Sequence, residues 1–385
     1  MSSFSFKADR PVESYNRSDI FFIISVLLLW GLGIFTLYVC TPYTGERLFG
    51  DRYYFVTRQL VWSVVGFVLL VFFSVVKMKF IQKMLPFIVM GSLLLCLMAF
   101  IPGIGSNRKG ASRWIYVAGL FTIQPSEFAK FAIVLFLANL FYKQKKEDRK
   151  DFYYPLAGLF IFVAIIFLQR DFSTGVFIFL VGCVMFFVCG ARMTWFLPLL
   201  LLAVPAIALM VSIEPYRLNR VIAFLHPEEF AMTSGYQEMA SKRAITAGGF
   251  WGNGVGEGLV EVFKIPELQT DYVFACWADS MGLFGVTAYF ILLLIFAWRG
   301  VRIALTCGNA FAAYAAFGCV CMVALQSLLN CAVVCGAAPT TGVPLPFFSS
   351  GGSSLVVSFC MCGFVINASH TPPDDDYGGV RILDM

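Results

Sequence analysis

Ten apolar runs, each near the length that crosses a bilayer, alternate with polar breaks along this chain. They lie near 19–40, 58–76, 84–102, 125–142, 153–168, 173–190, 194–213, 271–298, 308–333 and 351–368. A helix needs about 20 such residues to cross roughly 30 Å of hydrocarbon. Lipid offers no partner to backbone N–H and C=O groups, so only helices or closed barrels span it. The runs are continuous and do not alternate residue by residue, which argues against a barrel. Only 13% of the 385 residues are charged, where a soluble domain carries about 25%. A single water-soluble core is excluded. The prediction is an all-α polytopic membrane protein with ten transmembrane helices.

Its organisation follows from the breaks. Residues 1–18 form a polar leader containing Lys7, Arg10 and Arg17, and no small-residue cleavage site closes the first run, so no cleavable signal peptide is expected. Residues 19–368 make the membrane domain, with one long connection, 214–270, between the seventh and eighth helices, and 369–385 make a tail. Basic residues mark cytoplasmic loops. Lys77, Lys79 and Lys83, then Lys143, Lys145 and Lys146, place leader and tail in the cytoplasm and 214–270 outside it. The bias is weak, because Arg108, Lys109 and Arg113, and Arg217, Arg220, Lys242, Arg243 and Lys264, fall in the two long outer connections. Long loops translocate whatever their charge, or an anionic ligand is handled there. Both readings stay open.

Twelve cysteines and two histidines define no metal site. Most cysteines lie inside spans, as in "CVC" at 319–321 and "CMC" at 360–362, where residues two apart face different sides of a helix. They are expected to pack as small polarizable groups rather than to form a disulfide framework.

Four segments carry candidate chemistry. In "QPSEFAKF", Pro125 suits a first helical turn, and Glu127 and Lys130 fall on one face where they can pair. Such a pair inside a membrane faces the protein interior or a wet cavity, and either locks the bundle or serves a site. The connection 214–270 contains the amphipathic "YRLNRVIAFL", suited to an interface, and a run of glycines from Gly248 to Gly258. With no preceding strand and no Gly-Lys-Ser/Thr, that run reads as a flexible re-entrant turn rather than a phosphate cradle. "APTTGVPLPFFSSGGSSL", 338–355, has three prolines and is expected to line a cavity, since irregular backbone at membrane depth must be covered by protein or water. Finally, "QTDYVFA" sets Asp271 where a polar loop enters an apolar run. By position alone it is either a helix cap or a carboxylate held at the surface for chemistry.

These pieces resemble the SEDS family of shape, elongation, division and sporulation proteins, which includes FtsW, RodA and SpoVE. The matching stretches are "RWI", "QPSEFAK", "QRDFSTG", "YRLNR", "FLHP", "GYQ", "GGFWGNGVG", "PELQTDYVFA" and "GVPLPFFSSGGSS", in family order over nearly the whole chain. "YYFVTRQLVW" and "GYQ" look most like the FtsW branch. The resemblance implies ten helices and a peptidoglycan glycosyltransferase that polymerises lipid II on the outer face of the cytoplasmic (inner) membrane, for septal synthesis in cell division. It places the catalytic carboxylate on Asp271 and substrate-binding groups on Arg113, Glu127, Lys130, Arg217, Arg220, Gln237, Thr270, Ser353 and Ser354. Implied partners are lipid II, a class B penicillin-binding protein transpeptidase and other division proteins, with no nucleic acid. No cofactor is certain, and a divalent cation, Mg or Mn, on the lipid pyrophosphate is left open. Departures from the family pattern are Gln269 for a usual His, Asn253 for a common Lys, Ser350 for a Tyr, an altered Arg170–Ser173, and "ADSMG", where Asp279 keeps one carboxylate of a usual Glu pair and Ser280 loses the other. Rival readings are a lipid II flippase, a RodA-like elongation polymerase and a non-catalytic scaffold.

Overall fold

The computed structural model describes residues 18–108, 111–117, 121–146, 152–191, 212, 215–226, 228–230, 235–255 and 265–372. Among them seven helices are long and apolar enough to cross a membrane: α1 (Ile20–Cys40), α3 (Tyr54–Val75), α4 (Met78–Met98), α5 (Pro125–Lys146, apolar to Gln144), α10 (Val273–Thr306), α11 (Ala310–Val334) and α12 (Gly352–His370). Two shorter apolar helices, α6 (Tyr153–Leu168) and α7 (Phe172–Val188), bring the matched runs to nine. The predicted span 194–213 lies outside the described residues, Ser212 excepted.

Burial orders these helices. The most apolar stretch of α12 is 89% buried, against 72% for α5 and 67% for α11, while α3 and α4 bury only 22%. The centre is therefore α12 with α5 and α11. Outward residues of α3 and α4, such as Val64, Val68, Phe87 and Met90, form an apolar surface suited to lipid. Arg299 of α10 pairs with Asp19, whose carboxylate also accepts from Phe22 N at 3.0 Å and so caps α1.

Three features go beyond the predicted spans. An eight-residue helix, α2 (Pro42–Phe49), begins with Pro at its first turn and ends at Gly50 with φ 69°. The connection after α4 is not wholly irregular: β1 (Gly105–Arg108), β2 (Ala111–Val117) and β3 (Phe121–Ile123) form an antiparallel sheet in that order. The all-α prediction is corrected here. In "RWIYV" Ile115 is buried while Tyr116 is exposed, the period-two pattern of a strand. Third, the long connection holds two helices, α8 (Pro215–Leu225) and α9 (Tyr236–Gly248).

The described part of the glycine run, Gly248–Gly254, is not a free turn, and Gly256 and Gly258 lie outside the described residues. At Gly282, with φ 60° and ψ −163°, the helical path of α10 breaks. A continuous helix would bond the N–H of Leu283 and Phe284 to the carbonyls of Asp279 and Ser280. Instead, Leu283 N donates to Gly249 O (2.9 Å) and Phe284 N to Phe250 O (3.2 Å). In return, Asn253 N donates to Asp279 O (2.8 Å) and Gly254 N to Ser280 O (3.1 Å). The loop is inserted into the helix, and each half of both broken bonds finds a partner. The short segment Val273–Met281 is thereby separated from the membrane-length remainder.

Cys40, at the end of α1, and Cys276, in that segment, are joined by a disulfide with Cα atoms 6.2 Å apart. This corrects the expectation that the cysteines only pack. The two lie 236 residues apart, a separation that hides the pair from local sequence patterns.

Candidate active site

Asp271 sits at the end of a tight turn, not in the helix cap. Thr270 N and Asp271 N both donate to Glu267 O, at 3.1 and 3.2 Å, and Glu267 takes φ 54° to close the turn. The N-cap of α10 is Tyr272, which makes no side-chain cap hydrogen bond. The Thr270 hydroxyl donates back to Glu267 O at 3.1 Å, so Thr270 does not cap α10 either.

The proline-rich loop 338–351 is laced to this turn. Ser350 N donates to Gln269 O at 2.8 Å, and the Ser349 hydroxyl donates to Thr270 O while accepting from Leu345 N. Gln59 of α3 holds Ser349 O at 3.0 Å. From α11, the Asn330 amide donates to Asp271 O (3.0 Å) and Val343 O (2.9 Å). A side chain added at Gly342 would start 3.6 Å from Asp271 Oδ2, so the carboxylate faces the loop where the loop has no side chain. Asp271 is half-buried and Gly342 exposed, which leaves the carboxylate reachable. Burial, with the Asp271 and Glu238 carboxylates beside it, pushes the Tyr272 phenol above its usual range, so it stays neutral.

The other expected residues divide into two groups. Lys130 Nζ lies 2.6 Å from Glu127 Oε1 and 2.8 Å from Gln326 Oε1, wholly buried, and Gln326 Nε2 donates to Pro344 O at 2.8 Å. This ion pair therefore reaches the loop beside Asp271 through one amide. Arg220 donates to Thr340 O at 3.0 Å, putting a guanidinium on the same loop. Gln237 Nε2 reaches Pro266 O at 3.3 Å, at the start of the Asp271 turn.

The remainder belong to a second polar cluster. Arg113 donates to Arg170 O and lies 3.8 Å from Asp171. The buried Asp171 carboxylate accepts from Ser126 (3.0 Å) and Gln124 (3.2 Å), and Gln124 N donates to Ser353 Oγ at 3.1 Å. Arg217 stacks over the Phe172 ring at 5.0 Å. Ser354 is buried at the start of α12.

Sequence reasoning passed over Gln59, Gln124, Asp171, Gln326, Asn330 and Ser349. Gln326 and Asn330 left a signal: lone amides, four apart, deep in an apolar run. Among the described residues no three metal-ligating side chains come together.

Fold and site define a multi-pass membrane protein with a carboxylate-centred polar site at one end of its bundle. The chain belongs to the FtsW/RodA/SpoVE family, described as cell cycle proteins, which matches residues 20–372. It is 33% identical over 363 residues to "Probable peptidoglycan glycosyltransferase FtsW" of Geobacter sp. (strain M18), covering 94% of this chain and 98% of that one. It is 34% identical over 354 residues to "Stage V sporulation protein E" of Bacillus subtilis, covering 91% and 96%. Among solved structures it resembles a chain from work on "Structural coordination of polymerization and crosslinking by a peptidoglycan synthase complex", with TM-score 0.77, 26% identity and 91% and 97% of the two chains covered. Rod shape determining protein RodA of Thermus thermophilus shares the fold, with TM-score 0.67 at 24% identity, over 91% and 96% of the chains.

Proposed function

We propose that this protein is a peptidoglycan glycosyltransferase that joins lipid II disaccharides into glycan strands, with Asp271 as general base. One observation carries the reading: the half-buried Asp271, fixed through its backbone by Asn330 and the turn at Glu267, turns its carboxylate to the Gly342 side of a polar loop. The relatives' names and the synthase complex support it.

A sugar hydroxyl is a poor nucleophile, and a carboxylate within hydrogen-bond reach takes its proton as the new bond forms. Attack on the anomeric carbon of a lipid-pyrophosphate donor inverts that centre in one step and needs one base. The departing pyrophosphate is stabilised by positive charge placed beforehand. Arg220, anchored on Thr340, is suited to that task. The donor's lipid tail explains why a sugar reaction is carried out by membrane helices.

The same reading places the Asp271 end outside the cytoplasmic membrane, both termini inside, a tenth span in 194–213, and the protein at the division septum beside a class B penicillin-binding protein. Asp271→Asn tests the chemistry: the variant should insert and fold normally yet make no glycan from lipid II. Near-normal polymerisation by folded Asp271→Asn protein removes the base role. A transpeptidase partner, including one whose active serine is mutated, should raise the polymerisation rate. Equal rates with and without it reject activation.

A further inference from the structure

Two amides on one face of α11, Gln326 and Asn330, stand between the buried ion pair and Asp271. Each is almost fully buried, and each hydrogen-bonds in a way that leaves its orientation no choice. Lys130 only donates and the Pro344 carbonyl only accepts, so Gln326 must turn its oxygen to Lys130 and its nitrogen to Pro344. Asn330 meets two carbonyls, Asp271 O and Val343 O, so both its N–H groups are committed.

The carbonyls held are consecutive, Val343 and Pro344, and the residue before them is Gly342, which the Asp271 carboxylate faces. A single –NH2 with a fixed angle between its two N–H bonds thus sets the spacing between the Asp271 main chain and the loop wall opposite its side chain. One turn along the helix, Gln326 holds the same wall to the Glu127–Lys130 pair. The loop contains Pro339, Pro344 and Pro346, which have no N–H to give, and its own backbone bonds close only the turn from Leu345 to Gly351. Gln59, Arg220 and the Asp271 turn hold other parts of the loop, but its Val343–Pro344 stretch, the part facing Asp271, is held from α11.

We infer that Asn330 and Gln326 are positioning residues for the transfer reaction, with Asn330 fixing the distance from the Asp271 carboxylate to the loop that forms the opposite side of the site. The inference rests on the reading of Asp271 as the base. Misplacing a catalytic group by about 1 Å costs on the order of 100-fold in rate, so loss of the amide acts on turnover.

The test is steady-state polymerisation of lipid II by full-length Asn330→Leu and Gln326→Met, beside wild type and Asp271→Asn, with thermal unfolding measured on each. Asn330→Leu removes both donors without adding charge. Its expected kcat is about 10- to 100-fold below wild type, with KM within about threefold and a midpoint that falls, because two carbonyls lose their donor, but stays above the assay temperature. Gln326→Met should lower kcat less, because it holds the wall and not Asp271 itself. A folded Asn330→Leu with wild-type kcat overturns the inference, as does a rise in KM alone. If neither variant folds, the amides are structural and the positioning role is likewise rejected. Activity in Asp271→Asn would defeat the base reading instead, so the two failures are distinguishable.

Discussion

Gly252 and Gly282 approach so closely that neither has room for a side chain. A Cβ on Gly252 would lie 2.1 Å from the Ser280 carbonyl oxygen, and one on Gly282 would lie 2.4 Å from Gly252 N. Both residues also take positive φ, 83° and 60°. Every obstructing atom is backbone, so relaxation would have to open the inserted loop and expose four backbone hydrogen bonds. Gly282→Ala and Gly252→Ala are therefore each expected to cost more than about 3 kcal/mol. Unfolding midpoints in detergent check this, and a wild-type midpoint for Gly282→Ala would refute the inserted-loop geometry.

The Cys40–Cys276 disulfide ties α1 to the segment that follows Asp271. Joining distant positions restricts the unfolded chain and typically stabilises by about 2–4 kcal/mol. Spans that stay inserted when tertiary contacts are lost keep the chain partly ordered, which favours the lower part of that range. Cys40→Ser with Cys276→Ser should lower the unfolding midpoint, and wild type should show the same loss after reduction. Peptide mapping without reductant decides whether the bond forms: two alkylated thiols at these positions would dismiss it.

Most of the bundle was legible because a bilayer imposes one length on every span, and a run of apolar residues reports that length directly. What the run cannot report is an interruption satisfied from elsewhere. "ADSMGLFG" reads as unbroken helix, and only the approach of Gly249–Gly254 reveals the break at Gly282. For the same reason the glycine run looked flexible: its partners lie about thirty residues further along the chain. In the site, Asp271, Glu127 and Lys130 stood out because charge in an apolar setting is costly. Asn330 and Gln326 did not, since a neutral amide is cheap enough to pass as filler until its acceptors are known. Asp171 fell in the altered Arg170–Ser173 stretch and drew no role, whereas its carboxylate holds Gln124 and Ser126 where α5 begins.

Glu127 and Lys130 form the most deeply buried ion pair among the described residues, at 2.6 Å. Two paired charges out of water gain little over an apolar pair, yet removing one partner strands the other. Lys130→Met should cost about 3–5 kcal/mol, and Glu127→Gln added to it should recover much of that loss. Recovery of stability without recovery of polymerisation would separate the locking of the bundle from service to the site. If Lys130→Met instead matches wild type in both stability and activity, the pair does neither.

Asp171 and Arg113 offer a contrast within one cluster. The Asp171 carboxylate is buried and accepts from Ser126, in the first turn of α5, and from Gln124, the residue just before that helix. Arg113 approaches it only to 3.8 Å, with a third of its side chain exposed. A hydrogen bond to a charged acceptor contributes about 1.5–3 kcal/mol, whereas an ion pair stretched to 3.8 Å with a part-exposed arginine contributes less, about 1 kcal/mol. Asp171→Ala also leaves the buried Ser126 hydroxyl and the half-buried Gln124 amide without this acceptor and loosens Gln124, whose backbone N–H holds Ser353 at the start of α12. Asp171→Ala should therefore lower the unfolding midpoint markedly, and Arg113→Gln should barely move it. Equal losses in the two variants would mean that the ion pair, and not the hydrogen bonds from α5, holds the cluster together.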